Sequence, residues 1–99
     1  MLEPVLLALL RENPEHGYNL LEKLDAYGLG TIDPSILYRM LRQMEDNGWV
    51  TSSWDKNKTQ GPPRRMYQLT DSGRRRMSDW SKELADARRM IEDLLEEIS

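Results

Sequence analysis

The stretch 33–54, DPSILYRMLRQMEDNGWVTSSW, predicts a capped helix that runs directly into a strand. Pro34 suits the first helical position because its missing N–H is not needed there, and Asp33 before it is a good N-cap acceptor. Asn47 and Gly48 predict the end of the helix, since glycine accepts the left-handed backbone that commonly follows one. The apolar residues recur at the spacing of one buried helix face and are Leu37, Met40, Leu41 and Met44.

A second face of the same helix is polar and rich in hydrogen-bond donors. Its members are Ser35, Tyr38, Arg39 and Arg42. The residues that follow, 49–54, favour a half-exposed strand because they are rich in β-forming side chains. Such a helix and strand are typical of an element that enters the major groove of DNA. The simpler interpretation of the four residues is a solvated helix surface, and the rest of the chain decides between the two.

The formal net charge of −3 hides an uneven distribution along the chain. Residues 1–55 contain four Lys or Arg and nine Asp or Glu. Residues 56–77 contain seven Lys or Arg against one acidic residue, whereas residues 78–99 contain three against seven. A local basic block attracts a polyanion even when the total charge is negative. Double-stranded DNA therefore stays among the expected partners.

Length and composition exclude several classes of protein. Ninety-nine residues fit one domain with a modest core. The lack of cysteine excludes disulfides and thiolate metal sites, and the one histidine could build a zinc site only with several carboxylate ligands. The apolar run 5–10 is far shorter than the roughly 20 residues that span a bilayer, and Glu3 stands where a signal peptide has basic residues. We expect a cytoplasmic protein with no membrane contact and no metal or other cofactor.

The first third of the chain predicts two helices and a turn. Leucines at helical spacing indicate a first helix over 2–11, which Asn13 and Pro14 end. A second helix is expected over about 16–27, followed by a glycine-bearing turn. Two helices joined in this way to the helix at 34–46 give a helix-turn-helix organisation. The inner face of the second helix is predicted to hold Tyr18, Leu20, Leu21 and Leu24.

The residues after the strand predict a β-wing. The polar stretch 55–63 is rich in helix- and strand-breaking residues, and 64–69 reads as a second strand. The basic residues of this loop and strand suit contact with the DNA backbone or the minor groove. A merely solvated basic loop is the alternative. The candidates are Lys56, Lys58, Arg64 and Arg65.

The last helix has the clearest periodicity in the chain, and Thr70 is a good N-cap for it. Its apolar residues alternate steps of three and four, which is a heptad seam. A strict seam indicates pairing with a second helix, so we predict a homodimer through it, with its base also packed on the first helix. The seam consists of Met77, Trp80, Leu84, Ala87, Ile91, Leu94 and Ile98. Its first three residues could also line a cavity for a small-molecule effector, although plain interface packing is the simpler interpretation.

Together these elements predict a mainly α-helical protein with a small two-stranded β-wing. We divide it into a winged helix-turn-helix DNA-binding domain, 1–70, and a C-terminal dimerisation helix, 71–99, which form one structural unit. His16 is a further candidate for a DNA contact, because the start of a helix favours anions. Tyr18, which could contact phosphate in the same way, is assigned to the core.

Three segments resemble the PadR family of winged-helix transcriptional regulators. They are LLALLRENPEHGYNLLEKL, LYRMLRQMEDNGWV and GPPRRMYQLTDSGR, of which the last is the most specific. The resemblance extends from Val5 to about Met77 and fits the short form with a single C-terminal helix. It implies a homodimeric DNA-binding repressor, often released by a small molecule or a metal. The chain differs from many members in lacking an N-terminal extension and in carrying Arg39 where they have proline.

No catalytic pattern is present in the sequence. We find no nucleophile–base pair, no carboxylate dyad and no phosphate-binding glycine loop, so an enzyme is not expected. The alternative hypothesis is a winged-helix adaptor that binds proteins instead of DNA, which the acidic total charge would suit. The basic block over 56–77 argues against it, because an adaptor has no need of such a block.

Overall fold

The computed structural model describes residues 1–55 and 64–99. It has the mainly α-helical winged helix-turn-helix architecture expected from the sequence, followed by a long C-terminal helix. The helices are α1 (Leu2–Leu9), α2 (Gly17–Lys23), α3 (Pro34–Asp46) and α4 (Asp71–Ile98), and a 3-10 turn (Leu24–Tyr27) follows α2. The strands are β1 (Glu15–His16), β2 (Val50–Asp55) and β3 (Arg64–Leu69).

Helix α3 begins and ends as its sequence predicts. The Asp33 side chain accepts a hydrogen bond of 2.9 Å from the Ser35 backbone N–H. This bond satisfies one of the donors that every helix N-terminus leaves open, and it lowers the pKa of Asp33. At the other end Gly48 has a φ of 79°, and the Trp49 N–H donates to the Met44 carbonyl at 2.9 Å. Helix α3 is therefore held firmly at both termini.

The core lies between the three N-terminal helices and the inner face of the sheet. Leu37, Leu41 and Met44 of α3 are completely buried, whereas Met40 on the predicted inner face is half-buried. Ile32, in the turn before α3, packs against the same core. The other fully buried or nearly buried apolar residues are Val5, Leu6, Leu7, Leu10, Leu20, Leu24, Val50, Tyr67 and Leu69.

The sheet has three strands in the order β1-β3-β2. The strand β1, which joins the predicted pair β2–β3, was not predicted from the sequence. Glu15 pairs with Tyr67 and His16 with Met66, both antiparallel. A two-residue strand carries no periodic signal in a sequence, and only the approach of β3 gives it a partner. The predicted pair itself is confirmed, because β2 and β3 pair along their whole length from Val50–Leu69 to Asp55–Arg64.

Two predicted helices are shorter in the structure. Helix α1 ends at Leu9 and not at position 11, and the α-helical part of α2 ends at Lys23. Four residues of 3-10 helix follow, which is a common way for a helix to tighten at its end. The assignment of Tyr18 to the core was wrong, since its side chain is 55% exposed. Helix α2 buries Leu20 and the 3-10 turn buries Leu24, and Tyr18 points toward the wing instead.

Helix α4 lies beside α1 as far as Arg88 and projects from the body of the molecule beyond that residue. Thr70 is its N-cap, as predicted, and its side-chain oxygen accepts a 2.9 Å hydrogen bond from the Gly73 N–H. Met77 and Trp80 pack against the core, but Ile91 and Leu94 are half exposed and Ile98 is 81% exposed. The molecule is elongated as a result, with extents of 57 × 29 × 21 Å.

Candidate nucleic-acid interface

The donor-bearing face of α3 is open to solvent. Ser35, Tyr38, Arg39 and Arg42 are all exposed. Their spacing of three, four and seven residues places them on one side of the helix. The buried face of α3 points the opposite way, so packing of the core is what turns these four side chains outward.

Tyr38 is seated against the first residue of α2. A Cβ atom added to Gly17 would lie 2.6 Å from the Tyr38 Cε1 atom, well inside a normal contact. Only glycine therefore allows the Tyr38 ring to lie this close to the start of α2. This contact fixes the direction of the Tyr38 side chain on an otherwise free surface.

A cleft of about 300 Å³ opens where α2, α3 and β3 meet. Its lining joins three regions that are far apart in the sequence, and no acidic side chain within 1–55 and 64–99 contributes to it. The lining residues are His16, Gly17, Tyr18, Tyr38, Arg64 and Arg65. The structure thus brings four of the predicted DNA-binding residues together and adds Tyr18. Two guanidinium groups and two phenol hydroxyls in one open cleft suit a phosphate group.

The two arginines of β3 are engaged differently. Arg65 donates to the Ser52 Oγ atom at 2.7 Å, and its guanidinium lies 4.6 Å from the centre of the Trp54 ring. Ser52 in turn donates to Glu45 of α3 at 2.7 Å. Within the described residues the Arg64 side chain forms no hydrogen bond or ion pair, and it is exposed. Arg65 is therefore held to the wing and, through Ser52, to α3, whereas Arg64 is open to a ligand.

Tyr67 lies beneath these arginines and is buried. Burial raises the pKa of Tyr67, which outweighs the opposing effect of Arg65. The phenol therefore stays neutral well above physiological pH. It places no negative charge beside the arginines of the wing.

The short strand β1 is tied to its surroundings by both of its residues. The Asp55 carboxylate accepts a 2.9 Å hydrogen bond from the His16 Nε2–H, and both side chains are 14% exposed. Glu15 accepts hydrogen bonds from Lys23 and Asn19, and the bond from Lys23 is the main reason why its pKa is lowered. His16 lines the cleft but is engaged through one ring nitrogen.

Two of the predicted contacts, Lys56 and Lys58, lie outside the described residues. Three residues in or beside the cleft were not among the predicted DNA contacts. Tyr18 carried a misleading signal, because its spacing matches the leucines of α2. Glu45 and Ser52 carried none, since their link to Arg65 depends on how the strands pair.

The predicted effector residues line a groove beside α1. Met77, Trp80 and Leu84 contribute to an open groove of about 570 Å³. Its other lining residues are Pro4, Ala8, Arg11, Ser81, Ala85 and Arg88. In residues 1–55 and 64–99 there is no cluster of three or more His, Cys, Asp or Glu side chains able to hold a metal ion. No helix in the same ranges is long and apolar enough to cross a membrane.

Comparison with known proteins gives a consistent result. The model of the transcriptional regulator PadR-like family matches residues 6–79. A search of curated proteins gave no match. Among solved structures, a PadR family transcriptional regulator from Eggerthella lenta is 31% identical, with a TM-score of 0.81 over 95% of this chain and 80% of that one.

Two further structures extend this comparison. The Bacillus subtilis PadR in complex with operator DNA is 28% identical, with a TM-score of 0.71 over 81% of this chain and 46% of that one. A PadR family regulator from Clostridium difficile shares the fold, with a TM-score of 0.83 over 95% of this chain and 97% of that one, at only 17% identity. These relatives are transcriptional regulators and not enzymes. By its family match, its fold and these relatives, the chain belongs to the PadR-like family of transcriptional regulators.

Proposed function

We propose that this chain is a sequence-specific DNA-binding regulator that acts as a homodimeric repressor in the cytoplasm and is released by a small-molecule or other effector. The observation that carries the proposal is the cleft between α2, α3 and β3. Through Tyr38 it joins the exposed face of α3 to Arg64 of the wing, and among the described residues no acidic side chain lines it. A basic and phenolic surface therefore faces outward on a chain whose total charge is negative.

Helix α3 is the proposed recognition helix. In a helix that enters the major groove, the N-terminal residues lie deepest and later residues approach the backbone. Arg39 lies one turn into α3 on the same side as Ser35, so we assign it to a base edge, where arginine prefers guanine. Arg42 lies nearly one turn further and is assigned to a phosphate. Tyr38, directed by Gly17, contacts the backbone from the cleft.

The basic residues of the wing and the cleft are proposed to contact the phosphates of the DNA backbone. Arg64 has its guanidinium open, and Arg65 keeps N–H groups beyond the one bonded to Ser52. Lys56 and Lys58 belong to the same basic block of the sequence and are proposed to contribute to this contact. His16 contributes from the edge of the cleft.

The dimer is proposed to form along the exposed seam of α4. Leu84, Ile91 and Leu94 are between 37% and 52% exposed in the single chain, and Ile98 more so. Met90 and Leu95 flank the seam, are each 58% exposed and widen the apolar stripe. A stripe of this kind on a projecting helix is stabilised by burial against a second copy. The groove at Met77, Trp80 and Leu84 would then lie at the base of the dimer and is the proposed effector site.

A binding titration separates base recognition from backbone contact. Arg39→Ala and Arg42→Ala are compared on a selected operator and a scrambled duplex at one salt concentration. We expect Arg39→Ala to cost about 1–3 kcal/mol on the operator and to relax preference at one base pair. Arg42→Ala should weaken operator and scrambled DNA together.

Two outcomes would change the proposal. If Arg42→Ala alone loses discrimination, the orientation of α3 in the groove is reversed. If neither substitution changes DNA binding, α3 is not the recognition helix and the protein-binding adaptor is the better explanation. Retention of the wild-type protein on heparin at low salt tests the same alternative, because an adaptor would pass through the column unretained.

A further inference from the structure

Four side chains from three parts of the chain meet where the first half of α4 lies beside α1. Arg76 donates from Nε to the Glu3 Oε2 atom at 2.9 Å, and the Trp80 indole N–H donates to the same oxygen. The Arg76 guanidinium lies 4.7 Å from the centre of the Trp49 ring and 5.4 Å from that of Trp80. Glu3 is 15% exposed and Arg76 30%. This group, called the Arg76 cluster below, joins α1, α4 and the turn after α3.

A second attachment lies at the N-cap of α4, nearly two turns before Arg76. The Thr70 N–H donates to the Trp49 carbonyl at 3.1 Å, and the Thr70 hydroxyl donates to the Gly48 carbonyl at 2.6 Å. The Trp49 carbonyl also lies so close to Gly73 that a Cβ there would overlap it. The turn that ends α3 is therefore fastened to the start of α4, and Trp49 takes part in both attachments.

A helix held at one point can pivot, whereas a helix held at two points along its axis has a defined direction. Apolar packing of Met77 and Trp80 against the core adds attraction but little directional preference, because burial is non-directional. The hydrogen bonds to Glu3 are directional, and the planar guanidinium between two indole rings restricts rotation further. The direction of α4 relative to α3 is thus set largely by the Arg76 cluster.

We propose that Arg76 is a positioning residue that sets the spacing of the DNA half-sites by fixing the angle between α3 and α4. This inference rests on the proposed function, in which two chains pair along α4 and each presents one α3 to DNA. Residues 81–98 project beyond the cluster for roughly 27 Å at 1.5 Å per residue. A tilt of about 10° at the cluster moves the end of α4 by about 5 Å. In the dimer it would displace the two recognition helices by more than one base-pair step, about 3.4 Å.

A distance measurement within one chain tests the angle without DNA. The chain has no cysteine, so Gln43→Cys on α3 and Glu92→Cys on α4 provide two unique spin-label sites. Labelled protein is diluted in unlabelled protein, so that distances within one chain dominate. Arg76→Lys should shift or broaden the distance distribution by about 3 Å, because a tilt of about 10° acts over the roughly 18 Å of helix between the cluster and position 92. Arg75→Lys makes the same chemical change at the neighbouring exposed position and should leave the distribution as in the parent.

Trp80→Phe and Glu3→Gln are two further variants of the cluster, so that the test does not depend on the folding of Arg76→Lys alone. The first removes the indole donor and keeps a ring, and the second removes the charge and keeps an acceptor oxygen. At least one of the three variants should be folded and should broaden the distribution. Distributions as narrow as the parent's in all folded variants would overturn the inference, even if their Tm is lower.

The second readout is the preferred spacing on DNA. Unlabelled proteins are titrated with duplexes whose two half-sites are separated by spacers that differ by one base pair. The wild type should bind one spacer much more tightly than the others. In Arg76→Lys the ratio of affinities between the best spacer and its neighbours should fall roughly twofold to thirtyfold, while the affinity for a single half-site stays the same.

Equal sharpness in wild type and Arg76→Lys would overturn the inference and leave the proposed function intact. Failure of the wild type to bind any duplex would overturn the proposed function instead. The spin-label distances distinguish the two cases, because they need no DNA.

Discussion

At the scale of single residues, the contact between Gly17 and Tyr38 links the fold to the proposed interface. The nearest atoms to a Cβ on Gly17 are Cε1, Oη and Cζ of Tyr38, which form the far end of that side chain. A larger residue at position 17 therefore pushes the phenol aside and leaves the core intact. The direction of one exposed side chain depends in this way on a residue from another helix.

Gly17→Ala should reduce DNA affinity while keeping the fold. Alanine favours the helical backbone by roughly 0.5–1 kcal/mol over glycine, so Tm should not fall. The loss of affinity should equal that of Tyr38→Ala, and the double variant should be no weaker than either single one. A double-mutant cycle from binding titrations measures this coupling. Additive losses would show that the contact does not direct Tyr38.

Glu15 gives the fold a dependence on acid pH. The hydrogen bond from Lys23 lowers the pKa of Glu15 below its ordinary value. A group whose pKa is lower in the folded state stabilises the protein above its unfolded pKa, about 4.3, and this contribution is lost as the pH falls through the folded pKa. Ionised Glu15 therefore stabilises the attachment of β1 to α2 at neutral pH, and this contribution is lost in acid.

Glu15→Gln should flatten the fall of Tm between about pH 5 and pH 3. At neutral pH the variant should lose up to about 1 kcal/mol, or roughly 4–8 °C in Tm. Thermal unfolding across this pH range measures the effect. Glu22→Gln removes an exposed carboxylate from the same region and should follow the wild type. Identical slopes for wild type and Glu15→Gln would contradict the prediction.

At the scale of elements, the wing is held to α3 by a chain of hydrogen bonds. Arg65 donates to Ser52, and Ser52 donates to Glu45, each at 2.7 Å. The stack of Arg65 on Trp54 adds a contact across the two strands. Arg64, the strand partner of Asp55, stays open to solvent. Two adjacent arginines therefore differ, one maintaining the wing and the other free for phosphate.

Arg64→Ala and Arg65→Ala should be distinguishable by salt dependence and stability. Arg64→Ala should lower the slope of log affinity against log salt by about 0.9, the value for one phosphate contact, and leave Tm unchanged. Arg65→Ala should destabilise the fold by about 1 kcal/mol through the lost hydrogen bond and stack. Titrations at several salt concentrations, together with thermal unfolding, provide both values. An unchanged slope for Arg64→Ala would remove the described part of the wing from the interface.

At the scale of the whole molecule, α4 carries apolar surface that a single chain does not bury. The helix has 28 residues, or about 42 Å, and it lines the groove beside α1 from Met77 to Arg88. Ile91 and Leu94 are about half exposed, whereas Met77 and Trp80 pack on the core. The seam therefore divides into a base that supports the fold and an outer part available for a second copy.

Ile91→Glu should give a folded monomer. The side chain is 52% exposed in the single chain, so glutamate there costs little before pairing and places two charges face to face after it. Leu84→Glu, nearer the body, should disrupt the dimer and also lower Tm. Sedimentation gives the oligomeric state, and Lys82→Glu, at an exposed position on the side of α4 opposite the seam, serves as the control. A stable Ile91→Glu dimer would show that the seam is wrongly assigned.

The sequence by itself determined the fold class and most of the elements. Capping residues are local signals, so Asp33 and Thr70 located the starts of α3 and α4, and Gly48 located the end of α3. The heptad spacing of α4 and the basic block over 56–77 are likewise local patterns. Such features depend on residues close in the chain, which is why they can be predicted before the chain is folded.

Only the tertiary structure decided which of these residues meet. The strand β1 exists because β3 lies beside it, and Tyr18 faces the wing because α2 is rotated by the burial of Leu20 and Leu24. In the Arg76 cluster, Arg76 bonds to Glu3, which lies 73 positions earlier in the sequence. Contacts of this kind depend on how helices pack and strands pair, and no local pattern encodes them. The cleft and the direction of α4 therefore became visible only in the folded chain.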